Sequence, residues 1–264
     1  MIRDYLVFRL YGPMCSWGDI AVGEVRPSTV HPAKSAILGL IAAALGIKRP
    51  DTARDDTERS ALEVSHSALA QGYGFAVCVD APGVPLVDYH TAQVPSSGTG
   101  RNRRQFATRR DELLAVPRAE LNTILSRRDY RVDALYTIAL WVRPGAPHSL
   151  TELAARLHEP IFALYLGRKS CPPGLPLAAR VVTADNILDA MANAALPLPD
   201  DFARRLVPPN TRPALYWDGD GDAGSLQVEH TFTRRDAVYS RRRWQFQSRS
   251  EHHAALPVQE STDV

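Results

Sequence analysis

The chain has 264 residues, 45% of them hydrophobic, and its 31 basic and 29 acidic residues leave a formal net charge of +2. This length and composition indicate a soluble globular protein with room for one large domain or two small ones. Three widely separated cysteines predict neither a zinc site nor a disulfide framework, and no segment is apolar for long enough to span a membrane. We therefore expect a cytoplasmic protein without a cofactor, a metal ion or a membrane contact.

The first informative stretch predicts a strand, a glycine-broken loop and a helix over residues 4–47. Apolar side chains recur at helical spacing from about Pro32, and the loop before it is polar. Free backbone N–H groups at such a helix start favour an anion. The candidate binding residues here are Trp17, Arg26, Lys34 and Ser35. Lys34-Ser35 does not complete a P-loop, because the required glycines are missing, and a polar crossover with a capped helix is the alternative interpretation.

The middle of the chain predicts two strands, 73–80 and 86–94, which we interpret as a hairpin. A glycine- and serine-rich segment follows, and residues 101–110 then contain five arginines and no acidic residue. This pattern suits an arm that closes on a phosphate backbone and offers rings for stacking, although a solvated surface loop has the same composition. The candidates are Tyr89, His90, Arg101, Arg103, Arg104, Phe106, Arg109 and Arg110. Residues 112–126 have mixed helical character.

Residues 127–142 form the strongest predicted strand, and Ser149 with Glu152 indicates the start of a helix. A last strand and exit loop are expected from residue 163, where Arg168, Lys169 and Ser170 follow a glycine that lets backbone N–H groups approach a phosphate. A basic surface turn is the alternative interpretation of these residues. This order of elements predicts an α+β fold with a ferredoxin-like (RRM-like) domain over 1–180. We expect a small β-rich C-terminal subdomain over 181–250 and a disordered tail over 251–264.

Three stretches resemble a known family. The first contains Gly-Pro-Met-x-x-Trp-Gly, Arg-Pro-Ser and Pro-Ala-Lys-Ser-x-Ile-Leu-Gly-Leu-Ile within residues 12–41. The others are Arg-x-Tyr-x-x-Asp-Ala-x-Tyr-Thr-Ile-Ala, which begins at Arg128, and Leu-Gly-Arg-Lys-Ser-Cys-Pro over 166–172. In these stretches the chain is similar to the CasD family, the five-prime-end subunits of the type I-E CRISPR surveillance complex, Cascade, within the RAMP superfamily.

The resemblance implies a non-catalytic subunit that binds and caps the five-prime repeat-derived handle of CRISPR RNA. It also implies a basic thumb hairpin, inserted at about residues 94–112, that folds over the guide RNA. The implied partners are a CasC-like backbone subunit, a CasA-like large subunit and the other Cascade subunits, with target DNA nearby.

Two other classes of function are open to the sequence. Related proteins of type I-C systems cut repeat RNA without a metal ion, and His31, Lys34 or the adjacent Tyr89 and His90 offer groups for acid and base chemistry. A small-molecule enzyme has little support, because the sequence contains none of the GxGxxG, HExxH or GxSxG motifs. The aspartates at 218, 220 and 222 are interpreted as a turn.

Overall fold

The protein is described here by a computed structural model that covers residues 2–95, 106–196, 198, 200–207 and 211–257. Its strands are β1 (Arg3–Cys15), β2 (Trp17–Gly18), β3 (Val25–Arg26), β4 (Ser28–Thr29), β5 (Tyr73–Ala81), β6 (Val84–Pro95), β7 (Leu121–Val142), β8 (Arg180–Ala184), β9 (Ala214–Asp218), β10 (His230–Ser240) and β11 (Gln245–Ala255). Its α-helices are α1 (Lys34–Ala44), α2 (Asp56–Gly72), α3 (Arg109–Ala115), α4 (Leu150–His158), α5 (Ile187–Asn193) and α6 (Asp200–Leu206). Short 3-10 turns lie at Pro50–Thr52 and Arg118–Glu120.

The centre of the fold is four antiparallel strands in the order β8-β1-β7-β5. Helix α1 follows the first of these strands in the chain and α4 follows the third, which is the β-α-β-β-α-β arrangement of ferredoxin-like domains. The predicted α+β, ferredoxin-like fold is confirmed.

Both faces of this sheet are covered. Apolar side chains of α1, α2 and α4 pack on one face, around Phe8, Phe75 and Tyr136. Helices α5 and α6 pack on the other, where Trp141 and Trp217 are at most 2% exposed. RNA-recognition modules stack bases on an open sheet face. Here that face is closed, so bases cannot stack on it as they do in those modules.

The C-terminal strands extend the same sheet, because β9 pairs with β5, β11 with β9, and β10 with β11. The division into two domains at residue 180 stays a prediction. The predicted tail is wrong for residues 251–255, which lie in β11. The polar composition of this strand suggests a solvated segment, but Glu251 is buried against basic partners and Ala254 is fully buried. Residues 258–264 lie outside the described residues.

Three local predictions need correction. The strands β5 and β6 do not form a hairpin with each other; both pair with β7, one after the other, because the chain bends at Pro82-Gly83 without reversing. Strand β7 is 22 residues long, so the helix predicted over 112–126 ends at Ala115 and is followed by strand. The segment from residue 163 is irregular, and β8 occupies the place of the predicted last strand beside β1.

Candidate nucleic-acid interface

A two-stranded arm projects from the sheet. It consists of β6 and the first half of β7, paired from Val84 opposite Val132 to Pro95 opposite Leu121. Most side chains of β6 are exposed, and α3 follows near the tip. The arm is therefore longer than the insertion predicted over 94–112, because its stem begins at Val84.

The arginine run of the arm is only partly described. Arg101, Arg103 and Arg104 lie outside the described residues, so their role stays a prediction. Phe106 is half-buried, whereas Arg110 is exposed. Arg109 is also exposed and forms an ion pair with Glu112 within α3.

Three arginines from separate segments meet at the foot of the arm. Arg26 in β3 pairs in register with Arg128 in β7. Arg168, which follows the loop glycine, donates a hydrogen bond from Nη2 to the Arg26 carbonyl oxygen at 3.1 Å. Its guanidinium also lies 4.4 Å from the centre of the Tyr130 ring. These contacts produce a cluster of positive charge, which we call the arm-foot cluster: Arg26, Arg128 and Arg168.

The glycine loop, residues 166–171, is fixed to the first strand–loop connection. The Leu166 N–H donates to the Cys171 carbonyl at 2.7 Å, and the Ser16 N–H donates to the Leu166 carbonyl at 3.1 Å. Gly167 has φ +86°, and a Cβ on it would lie 1.8 Å from the Ser16 carbonyl oxygen. Only glycine fits this close approach. Lys169 and Ser170, the next two residues of this loop after Arg168, are exposed.

Tyr89 and His90 lie on opposite faces of the arm, because successive strand residues alternate. Tyr89 is opposite Arg127 and is 74% exposed, which leaves its ring free to stack. His90, opposite Ser126, shares its face with Arg128. The structure therefore brings His90, and not Tyr89, to the side of the arm-foot cluster.

Trp17 is only 2% exposed and packs edge-on against Tyr136, with ring centres 5.7 Å apart. The Trp17 ring packs under Gly167 of the glycine loop. Because the ring is buried, we leave Trp17 out of the proposed RNA surface.

Lys34 is buried in an ionic cluster. Its ammonium lies 2.6 Å from an Asp218 carboxylate oxygen, and the backbone N–H of Lys34 donates to Asp236 at 2.9 Å. Burial lowers the pKa of Lys34, and the adjacent Asp218 opposes that effect. The sequence predicted that this helix start binds an anion, and that anion is Asp236 of the same chain. We therefore leave Lys34 out of the RNA surface. Ser35 is half-buried, and its carbonyl accepts a hydrogen bond from Arg241.

Arg249 is the centre of this ionic cluster. Its guanidinium contacts Asp218 at 2.9 Å, Asp236 at 2.6 Å and Glu251 at 2.5 Å. Burial acts to lower the pKa of Arg249, but the surrounding carboxylates raise it above its ordinary value. The cluster joins α1 to the C-terminal strands β9, β10 and β11.

His31 belongs to the same cluster. Its Nε2 lies 3.4 Å from a Glu251 carboxylate oxygen, and its ring stacks on Tyr216 with centres 4.0 Å apart. The groups considered for RNA cleavage are thus divided between a buried cluster, with His31 and Lys34, and two faces of the arm, with Tyr89 and His90. No common site for acid and base chemistry is formed by these four residues.

A family model described as CRISPR-associated protein (Cas_Cas5) matches residues 5–250 of the chain. The chain belongs to this Cas5 family. It is 34% identical over 193 residues to the CRISPR system Cascade subunit CasD of Escherichia coli (strain K12). The aligned region covers 73% of this chain and 77% of the relative. The resemblance inferred from the sequence motifs is confirmed.

Solved structures agree with this family. A chain of a structure titled CRISPR RNA-guided surveillance complex is 25% identical, with a TM-score of 0.56 over 96% of this chain and 90% of the other. A structure titled Crystal structure of Cas protein is 23% identical, with a TM-score of 0.55 over 96% and 95% of the two chains, and shares the fold.

The described residues of this Cas5-family chain lack two features. No helix in the described ranges has the length and apolar character needed to cross a bilayer. Among the same residues, no group of three or more histidine, cysteine, aspartate or glutamate side chains is placed to hold a metal ion.

Arg128 of the arm-foot cluster was not among the candidates from the sequence, because residues 127–142 were assigned only to a strand. Its sequence signal was the arginine doublet at 127–128, where that predicted strand begins. The pairing of β3 with β7, which brings Arg26 beside Arg128, has no signal in a single sequence.

Glu251 makes the stability of this Cas5-family protein depend on pH. Burial alone would raise the pKa of Glu251, but the hydrogen bond and charge of His31 and the charge of Arg249 lower it to about 2. An unfolded glutamate titrates near about 4.3. The ionised carboxylate therefore contributes stability above about pH 4.3, and this contribution, about 3 kcal/mol, is lost as the pH falls through about 2.

Urea unfolding between about pH 5 and about pH 2.5 measures this effect. We expect the free energy of unfolding to fall less steeply with acid in Glu251→Gln than in the unchanged protein. Identical pH slopes for the two proteins would contradict the assignment.

Proposed function

We propose that the chain is a non-catalytic subunit of a type I-E CRISPR surveillance complex, Cascade, and that it binds and caps the five-prime repeat-derived handle of CRISPR RNA. The observation that carries this proposal is the arm-foot cluster, where Arg26, Arg128 and Arg168 from three separate segments meet beside the glycine loop. The similarity to a Cascade subunit supplies the biological setting.

RNA binds at the arm and the glycine loop, because the sheet face used by RNA-recognition modules is covered. The guanidinium groups of the arm-foot cluster bind phosphates, together with Lys169, the Ser170 hydroxyl and backbone N–H groups of the loop. The arginines of the arm, Arg101, Arg103, Arg104, Arg109 and Arg110, extend this positive surface. His90, which shares a face with the arm-foot cluster, and Phe106 contact splayed bases, and Tyr89 offers its exposed ring on the opposite face of the arm.

The arm also contacts neighbouring subunits. Its exposed apolar side chains include Leu114, at 75%, and Leu125, at 52%, which suits an interface better than free solvent. A CasC-like backbone subunit packs along the arm, and a CasA-like large subunit binds near the capped end, close to target DNA. In this arrangement the chain ends the filament of backbone subunits and works in the cytoplasm.

The positions of the titratable groups support the non-catalytic role. His31 and Lys34 have buried partners within the ionic cluster, and Tyr89 and His90 are directed to opposite faces of the arm. Binding and positioning of RNA need none of these groups to transfer a proton.

Charge reversal at the arm-foot cluster tests the proposal. In the double variant Arg128→Glu, Arg168→Glu we expect weaker binding to RNA that carries the handle, because phosphate contacts that release counterions are lost. The slope of log affinity against log salt concentration should become shallower by about 1.4, or about 0.7 for each lost contact to single-stranded RNA.

The matched control is Arg156→Glu, which changes the charge of an exposed residue on α4 and should leave the salt slope unchanged. An unchanged affinity and salt slope in the double variant would show that RNA does not bind at the arm-foot cluster.

A further inference from the structure

A groove of about 780 Å³ lies on the other side of the glycine loop from the arm-foot cluster. Its walls are the outer side of α1, the segment around Arg49, the segment over 162–172 and the turn between β10 and β11.

The groove combines positive charge with exposed rings. Four cationic side chains from three segments line it, and none of the described residues in its lining is acidic. These cations are Lys48, Arg49, Lys169 and Arg241. The aromatic lining residues are Phe162, Tyr165 and Trp244, which are 39%, 39% and 54% exposed. A nucleotide offers the complement of this surface, a flat base and an anionic phosphate.

Trp244 is held at the groove by two guanidinium groups. Those of Arg49 and Arg241 each lie 5.1 Å from its ring centre. Arg241 is fixed in turn by a hydrogen bond from Nη2 to the Ser35 carbonyl at 3.1 Å. A base that enters the groove meets an aromatic and guanidinium surface already in place, so little ordering is needed on binding.

The positive charges in the groove oppose one another. Burial lowers the pKa of Arg241 and the like charge of the nearby Arg49 lowers it further, while the negative charge of Glu63 opposes these effects. The charge of Arg49 is partly balanced by Asp51, whose carboxylate accepts two hydrogen bonds from the Arg49 guanidinium, of 3.1 and 2.7 Å. A phosphate in the groove relieves the remaining repulsion.

The glycine loop joins the groove to the arm-foot cluster. Arg168 is directed to Tyr130 and Arg26, whereas the next residue, Lys169, lines the groove. A single strand of RNA that crosses the loop therefore passes from one positive surface directly to the other.

We propose that this groove binds a nucleotide of the bound single-stranded RNA, with the base stacked on Trp244 and the phosphate held by Lys48 and Lys169. This inference rests on the proposed function, and it adds a second contact region on the far side of the glycine loop.

The intrinsic fluorescence of the full chain tests the groove. Trp17, Trp141 and Trp217 are at most 2% exposed, so Trp244 is the tryptophan that a ligand can reach. The probe is a synthetic RNA with the part of the host's CRISPR repeat that remains at the five-prime end of its CRISPR RNA. We expect this RNA to quench the emission, and inorganic polyphosphate, which has no base, to quench it much less.

Variants separate stacking from charge. Trp244→Ala should weaken RNA binding by about 5- to 150-fold, the range for loss of one stacked base, whereas Trp244→Phe should retain most of the affinity without the quenching. Lys48→Gln should make the salt slope shallower by about 0.7. Arg156→Glu is again the control that should change neither quantity.

The outcomes distinguish the two proposals. If the unchanged chain binds the RNA without quenching, and Trp244→Ala and Lys48→Gln bind it equally well, the groove is not an RNA site and the arm-foot proposal stands. If the unchanged chain does not bind the RNA at all, the proposed function itself is overturned. Quenching lost in Trp244→Phe, together with weaker binding by Trp244→Ala, supports the groove.

Discussion

Replacing Arg249 with methionine lowers the free energy of unfolding by about 3–5 kcal/mol. The guanidinium of Arg249 contacts Asp218, Asp236 and Glu251, all of which are at most 7% exposed. Methionine fills part of the volume but leaves these carboxylates with fewer partners in a site from which water is excluded. The cost arises from the uncompensated buried charge and not from the loss of one favourable contact.

Urea denaturation at neutral pH measures this change, with Arg54→Met as the control. Arg54 pairs with Glu58 on the surface, and its side chain is 86% exposed, so its removal should cost at most about 1 kcal/mol. Equal small losses in the two variants would mean that the ionic cluster does not hold the C-terminal strands to α1.

Replacing Gly167 with alanine moves the glycine loop and reduces RNA binding together with stability. The residue has φ +86°, and its new Cβ would lie 1.8 Å from the Ser16 carbonyl oxygen, a backbone atom that no side-chain rotation can remove. The loop must shift, and Arg168 and Lys169 shift with it. We expect a loss of about 3 kcal/mol or more in stability, since the left-handed backbone alone costs about 1–2 kcal/mol.

Gly145 provides a matched control for this variant. Its φ is +83°, but a Cβ there meets no atom within 4 Å. Gly145→Ala therefore carries the backbone cost without the clash, and it should bind RNA normally. If the two variants lose the same stability and both bind RNA normally, the close approach of Gly167 to Ser16 has no role in forming the site.

The sequence predicted the parts of this protein that depend on local patterns. The alternation in β1, the helical spacing in α1 and the Ser149 cap, which accepts a hydrogen bond from the Glu152 N–H, are properties of neighbouring residues. The turn at the glycine loop was also expected, because Gly167 permits a tight turn, and the phosphate-binding role of the residues that follow it stays a prediction. The resemblance then supplied the family, which the family model confirms.

The errors occurred where distant residues meet. Lys34 looks like a phosphate ligand at a helix start, but its partner Asp218 lies 184 positions away in the chain. The polar sequence of β11 was interpreted as a disordered tail because its burial also depends on a distant residue. Glu251 is buried only because Arg249 and His31 contact its carboxylate. The third error concerns strand pairing. The sequences of β5 and β6 have the pattern of a hairpin, but β7 is long enough for both strands to pair with it, one after the other.

Sequencing the RNA that accompanies the protein tests the central claim most directly. The tagged full chain is isolated from its native host at low salt, and the five-prime ends of the bound RNA are determined. The proposed function predicts short RNAs that share one repeat-derived five-prime end. A random mixture of cellular RNA, or no RNA, would contradict the assignment of this chain as the subunit that binds the handle.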